Sequence, residues 1–328
     1  MKTLPSIQQS LKRKTRQVRT YLSNAPLRLS HLRLAYRFSY EGYSSKPIFL
    51  LGPPRSGSTL IYQSIAHSAR FAYFHKCMMN YPYAICEYTQ RNISPCFVYK
   101  STFSNKYGKT EHINGPSEGF RFWRRFYPRK GSDYVSSFTL TAPEKAESRG
   151  TIGFLGHYFS GPFLSKELEM ALRLRSLQEL FPNAIYVVLL RDPRAIAASI
   201  LTARVKNTGR RDAWWAMQPS NYVKWTGLPA HLQVANQVTS VYQTIFKDLR
   251  SSSNFTYIRY EDFCKGPERA IQNLFQYLSD KGLALTRTGY LPRSFPLKKT
   301  LEMCSHELSD IERVFRYYNL EARVPFRL

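Results

Sequence analysis

The chain has 328 residues, 43% of them hydrophobic, which suffices for one large α/β domain with a proper core. No apolar run reaches bilayer-spanning length and none forms a signal-peptide core, so neither a membrane span nor a secretory leader is expected. The formal net charge of +26 implies anionic partners, from nucleotides and sulfated or phosphorylated compounds to nucleic acid and acidic lipid, without choosing among them.

Residues 1–40 carry nine basic residues and no acidic one. They read as a basic extension ahead of a single domain spanning 41–328. Such an extension can lie on an anionic membrane surface, serve as an organellar transit segment, or stay solvated.

Ile48 to Leu51 is a short apolar run, the pattern of a buried strand. Gly52, Pro53 and Pro54 stop it, and a helix is expected from Leu60 to Ala69. Between them, Ser56, Gly57, Ser58 and Thr59 offer small side chains and free amides at a helix start. Unpaired amides and the positive helix end make an anion cradle. Arg55 adds a forked cation. Gly52, Gly57 and Thr59 fit the ATP-type loop G-x-x-x-x-G-K-[ST], but Ser58 stands where its lysine belongs.

Residues 71–90, rich in aromatics and sulfur, read as core, with His75 among them. Residues 91–135 are punctuated by Gly and Pro and read as irregular. There Glu118 is either a general base or an ion-pair partner for Arg121, Arg124 and Arg125. Residues 163–181 read as a helix that includes Lys166. Ala184 to Leu190 is the clearest buried strand. Arg191 closes it, with Asp192 as cap and Pro193 opening the next helix. Ligands gather at such carboxyl strand ends, so Arg191 suits a phosphate.

Trp214 and Trp215 fall among turn residues and read as a lid, a wall or core anchors. An amphipathic helix is expected over 231–250. A third strand runs from Phe255 to Tyr260, where Glu261 and Asp262 cap and pair, then a helix from Pro267 to Leu278. A last helix is expected over 308–318. The five cysteines form no C-x-x-C pair, which argues against zinc and for reduced thiols in a cytoplasmic setting.

Pro54-Arg55-Ser56-Gly57-Ser58-Thr59 resembles the 5′-phosphosulfate loop of the sulfotransferase family. Ser199, eight positions after Arg191, completes a pair similar to that family's 3′-phosphate site. Tyr260-Glu261-Asp262 resembles the segment whose tyrosine lies near the adenine. The resemblance spans about residues 46–318. It implies an α/β fold with a central parallel sheet flanked by helices, like the P-loop nucleotide hydrolases. It implies 3′-phosphoadenosine 5′-phosphosulfate (PAPS) as co-substrate and a sulfuryl transfer that requires no metal. Donor contacts would fall to Arg55, Ser56, Gly57, Ser58, Thr59, Arg191, Ser199 and Tyr260. Arg55, Lys166 and Glu118 would carry the chemistry, with Lys166 assisting the leaving group.

Two departures from the family's pattern stand out. Where cytosolic members have a histidine two positions after the lysine, this chain has Leu168. Glu118 is then the first candidate base and His75 the second. The family's late Arg-Lys-Gly segment is not recognisable, and Lys298 and Lys299 are its possible substitutes. Two other classes stay open: a P-loop kinase or nucleotide hydrolase, which the missing lysine disfavours, and a non-catalytic basic module for nucleic acid or anionic lipid.

Overall fold

The computed structural model describes residues 4–40, 46–104, 110, 112–127, 132–134, 140–297 and 303–320. Four strands, β1 (Ile48–Leu51), β2 (Leu164–Ser165), β3 (Ile185–Leu190) and β4 (Phe255–Arg259), form one sheet in the order β2-β1-β3-β4. Every pairing is parallel, with Ile48 opposite both Leu164 and Ile185, and Val188 opposite Tyr257.

The helices follow in chain order. Ahead of the sheet lies α1 (Leu4–Tyr40). Between β1 and β2 come α2 (Ser58–Ser68), α3 (Ile85–Asn92), α4 (Phe120–Phe126) and α5 (Ala142–Tyr158). The short α6 (Leu174–Leu180) precedes β3. After it come α7 (Pro193–Thr208), α8 (Tyr222–Trp225) and α9 (Ala230–Asp248). Past β4 lie α10 (Tyr260–Lys265), α11 (Pro267–Asp280) and α12 (Ser305–Tyr317).

Strand periodicity divides the core. Phe49, Leu51, Tyr186 and Val188 point to one face, where α4–α7, α9 and α12 supply Trp123, Ile152, Leu177, Val238 and Phe315. Ile48, Leu50, Val187 and Leu189 point to the other, against Ile61, Ile65, Phe263 and Leu274 of α2, α10 and α11. Both faces are covered, as a parallel sheet requires. The chain leaves β1 toward β2 on one side and returns as β3 on the other. The crevice between the carboxyl ends of β1 and β3 is therefore the switch point where ligands gather.

Two segments differ from expectation. Residues 163–181 are not one helix: the Phe163 carbonyl accepts the Ile48 amide at 2.7 Å and Phe163 bridges to Ala72, Leu164 and Ser165 pair with β1, and a short 3₁₀ turn (Leu168–Leu172) leads into α6. Lys166 thus follows a strand. Helix α5 had no counterpart in the sequence reading, because Gly150, Gly153 and Gly156 weaken any helical signal. Gly150 has a packing reason. A Cβ on Gly150 would sit 1.6 Å from the Ala35 carbonyl oxygen, so α1 crosses α5 backbone to backbone.

A buried ion cluster locks this crossing. Glu147 of α5 accepts from Arg28 of α1 at 2.5 and 2.6 Å, from Arg125 of α4 at 2.5 Å, and from His31 Nε2 at 3.2 Å. Burial pushes the Glu147 carboxyl up, but the Arg28 and His31 hydrogen bonds and the two guanidinium charges outweigh it and hold it well below its usual value. His31 is held neutral chiefly by burial, and its Nδ1 accepts the Cys86 amide at 3.1 Å. Both groups have folded-state pKa values below their unfolded ones, 4.5 and 6.5, so stability falls as pH drops through each. The melting temperature is expected to decline from pH 7 toward 4. Glu147→Gln should cost about 3 kcal/mol at pH 7, since it strands buried guanidiniums, and should remove the further decline that sets in below the unfolded carboxyl value of 4.5. A wild-type melting temperature constant over this range would contradict the account.

Candidate active site

Leu51 ends at the sheet's carboxyl edge, and the loop 52–57 carries the chain into α2. Two residues of the loop take left-handed conformations, Arg55 (φ 70°) and Gly57 (φ 84°). Among the described residues no side chain caps α2 at Gly57, and a helix start of this kind suits an anion. Ser56 is fully buried, and its Oγ has no hydrogen-bond partner among the described residues. An orphan hydroxyl at an anion cradle fits a missing oxyanion.

Gly57 answers to a second constraint. A Cβ there would lie 2.0 Å from Cδ2 of Tyr260, whose ring covers the loop. Gly57→Ala is expected to displace that ring, lower stability by about 2–3 kcal/mol and reduce nucleotide affinity more than tenfold. Thermal melts and titration with 3′-phosphoadenosine 5′-phosphate check both, and unchanged values in each would refute the packing argument.

The loop is tied to the ends of β3 and β4. Arg55 Nε donates to Ser199 Oγ of α7 at 2.8 Å. Arg191, at the end of β3, donates through Nη1 to the Arg55 carbonyl at 2.7 Å. Its guanidinium sits 4.6 Å from the centroid of the Tyr260 ring. Tyr242 of α9 buttresses it, donating to the Leu189 carbonyl at 3.1 Å and accepting the Arg191 amide at 3.3 Å. Burial and then the like charge of Arg191 push the Arg55 pKa down. Two cations held together away from water favour an anion between them.

Lys166 lies just past β2 and is 2% exposed. Its ammonium donates to Thr59 Oγ1 at 3.1 Å and to Glu118 Oε1. Lys166 thus joins the end of the cradle to a carboxylate that reaches solvent, Glu118 being 39% exposed at its side chain.

A cleft of about 630 Å³ takes in Arg55, Gly57, Ser58, Thr59, Glu118, Lys166, Arg191 and Tyr260. Ser56 and Ser199 stand behind this lining. Trp214 and Trp215 form part of its wall. His75 is elsewhere: its ring is stacked between Tyr73 (4.6 Å) and Phe159 (4.9 Å), and burial pushes its pKa down to about 3. It lies outside the cleft lining, and this separates it from the other candidates. Lys298 and Lys299 lie outside the described residues.

Sequence reasoning passed over Glu167. It is buried in the cleft wall, its Oε1 accepts the Glu169 amide at 3.3 Å, and its Oε2 has no partner among the described residues. Burial first, then Glu118 and Glu169, push its pKa well up. Its position beside Lys166 was the only signal, and the expected helix hid it. Tyr242 gave no signal beyond the apolar stripe of α9. Glu261 accepts the Asp192 amide at 2.9 Å, which ties the start of α7 to the end of β4. Among the described residues, no group of three His, Cys, Asp or Glu side chains could hold a metal ion.

No curated protein matches the chain in sequence. In fold it is similar to the sulfotransferase STF1 from Mycobacterium tuberculosis H37Rv, with a TM-score of 0.54 and 13% identity over 91% of this chain and 81% of that one. It also resembles the sulfotransferase STF9 from Mycobacterium avium, with a TM-score of 0.48 and 14% identity over 87% and 69%. A model of the sulfotransferase family matches residues 47–281, which takes in the loop, Lys166, Arg191 and Tyr260. The chain belongs to the sulfotransferase family.

Proposed function

We propose that the protein transfers a sulfuryl group from PAPS to a hydroxyl or amine by in-line displacement. The observation that carries this reading is the interlocked pair Arg55 and Arg191 at the β1–β3 crevice, with an uncapped helix start beside it. The cradle 55–59, with the orphan Ser56 hydroxyl, suits the 5′-phosphosulfate. Arg191, with Ser199 behind Arg55, suits the 3′-phosphate, and Tyr260 the adenine side.

The donor supplies the sulfuryl group and a stable leaving nucleotide. The bond from sulfur to the bridging oxygen breaks with its electron pair staying on that oxygen, and a bond from sulfur to the acceptor forms. Glu118 takes the acceptor's proton. Lys166 and Arg55 stabilise the charge that builds on the bridging oxygen, the kind of fixed cation that counts most where water is excluded. Ser58, in the position of a kinase lysine, supports this reading over phosphoryl transfer.

Titration with 3′-phosphoadenosine 5′-phosphate and with magnesium-ATP tests it. Metal-independent preference for the 3′-phosphorylated nucleotide is expected. Preference for magnesium-ATP would favour the kinase reading instead.

The setting we propose is cytoplasmic, with residues 1–40 as a basic extension that touches anionic membranes. Among the described residues no helix is long and apolar enough to cross a membrane. Exposed Val18, Leu22 and Leu29 share a face of α1, in a stretch without acidic residues. Co-sedimentation with phosphatidylserine vesicles, reduced by Leu22→Glu, is the expected result; equal recovery with neutral vesicles would discount the contact.

A further inference from the structure

Beside the cleft lies a second pocket of about 290 Å³. The two share Thr59, Glu118, Phe120 and Lys166. They therefore meet at the groups assigned above to the chemistry, and Arg191 and Tyr260 line the first but not the second. Resting on the sulfotransferase reading, we propose that this pocket seats the acceptor, and that the acceptor is a compact apolar alcohol or phenol.

The walls carry the argument. The accessible lining is mostly apolar, and Tyr62, Met79, Ile113, Pro116 and Phe120 contribute to it. Several of the polar side chains beside them are spent on protein. The Tyr62 hydroxyl donates to the Ser117 and Leu164 carbonyls, both at 3.2 Å. Thr110 Oγ1 donates to the Pro116 carbonyl at 3.2 Å. Arg121 donates to the Met79 carbonyl at 2.8 Å and to Asn80 Oδ1 at 3.1 Å. Lys76 Nζ donates to the Thr110 carbonyl at 3.3 Å.

A sugar brings many hydroxyls, each of which gives up water on entry. Walls that are mostly apolar, with several polar groups already spent on protein, repay little of that loss. An aromatic or aliphatic body has nothing to repay and gains by covering the apolar surface. Its one hydroxyl needs one charged partner, and the Glu118–Lys166 pair stands at the shared end. The volume suits a small ring system, near the lower bound of about 300 Å³ for ligand pockets. Ile113, 58% exposed, forms the rim, and Tyr62 and Lys166, each 2% exposed, the buried end.

The test uses the full chain loaded with 3′-phosphoadenosine 5′-phosphate, and 2-naphthol and N-acetylglucosamine as probes. Saturable binding of 2-naphthol and none of the sugar is expected, together with faster transfer from PAPS to 2-naphthol. Ile113→Asp and Ile113→Trp change only the rim, so the fold and the nucleotide affinity should hold. Both should weaken 2-naphthol binding at least tenfold. Failure of 2-naphthol to bind, indifference to both substitutions, or faster transfer to the sugar overturns the acceptor proposal while nucleotide binding stands. Failure of the wild type to bind the nucleotide overturns the sulfotransferase reading itself, and the acceptor proposal with it.

Discussion

Lys166→Ala is expected to lower kcat by about 100- to 1000-fold while leaving affinity for 3′-phosphoadenosine 5′-phosphate within about threefold. The split follows from where the ammonium sits. It is buried between Thr59 and Glu118, at the end of the cradle rather than beside Arg191. The desulfated nucleotide still finds Arg55, Arg191 and the start of α2. Only the group that departs or arrives during the reaction loses its cation. Lys166→Arg should not restore the rate, because a wide planar guanidinium cannot occupy a site sized for a compact ammonium. Measured kcat within tenfold of wild type would remove Lys166 from the chemistry. An equal loss of nucleotide affinity would make it a binding residue instead.

Arg191→Ala is expected to weaken binding of the 3′-phosphorylated nucleotide about 100-fold, the effect of losing charge-assisted hydrogen bonds from a buried guanidinium. Two losses combine. The phosphate loses its cation, and the Arg55 carbonyl loses the bond that ties the loop to β3. Ser199→Ala, which removes one neutral partner of Arg55, should cost only about 2- to 10-fold. Nucleotides without a 3′-phosphate separate direct from indirect effects. If adenosine 5′-phosphate loses affinity by the same factor in Arg191→Ala, the residue acts by shaping the loop. If only the 3′-phosphorylated nucleotide suffers, the contact is direct.

What the sequence made legible was local. The loop 52–59 and the Leu190–Arg191–Asp192 turn each combine an apolar run, a stop and a charged residue within a dozen positions. Such patterns survive without knowledge of the fold. Tyr260 was legible for the same reason, at the end of β4. Lys166 was named but misplaced on a helix, because a strand of two residues is too short to carry a period. Its neighbour Glu167 went unread with it. Helix α5 was hidden by three glycines, one of which, Gly150, serves a contact with α1 far away in sequence, although Thr141 and Glu144 form a capping box at its start. The second pocket was beyond reach altogether. Tyr62, Met79, Ile113 and Phe120 come from four separate segments, and only packing brings them together.

The order of the sheet bears on how the chain comes off the ribosome. β1, which carries the nucleotide loop, has no neighbour until β2 and β3 emerge, beginning at Leu164 and Ile185. β3 in turn presents an open edge until Phe255 arrives. A nascent chain therefore holds β1 unpaired through about a third of synthesis, from Leu51 to Leu164 of 328 residues. Parallel pairing across such spans is slow and leaves hydrophobic surface exposed to other chains. Fragments ending before β4 will contain every residue of the loop and Lys166, yet no settled frame to hold them. Chaperone dependence during expression, relieved only once the β4 segment is present, is the cellular form that this topology gives to the requirement for a complete sheet.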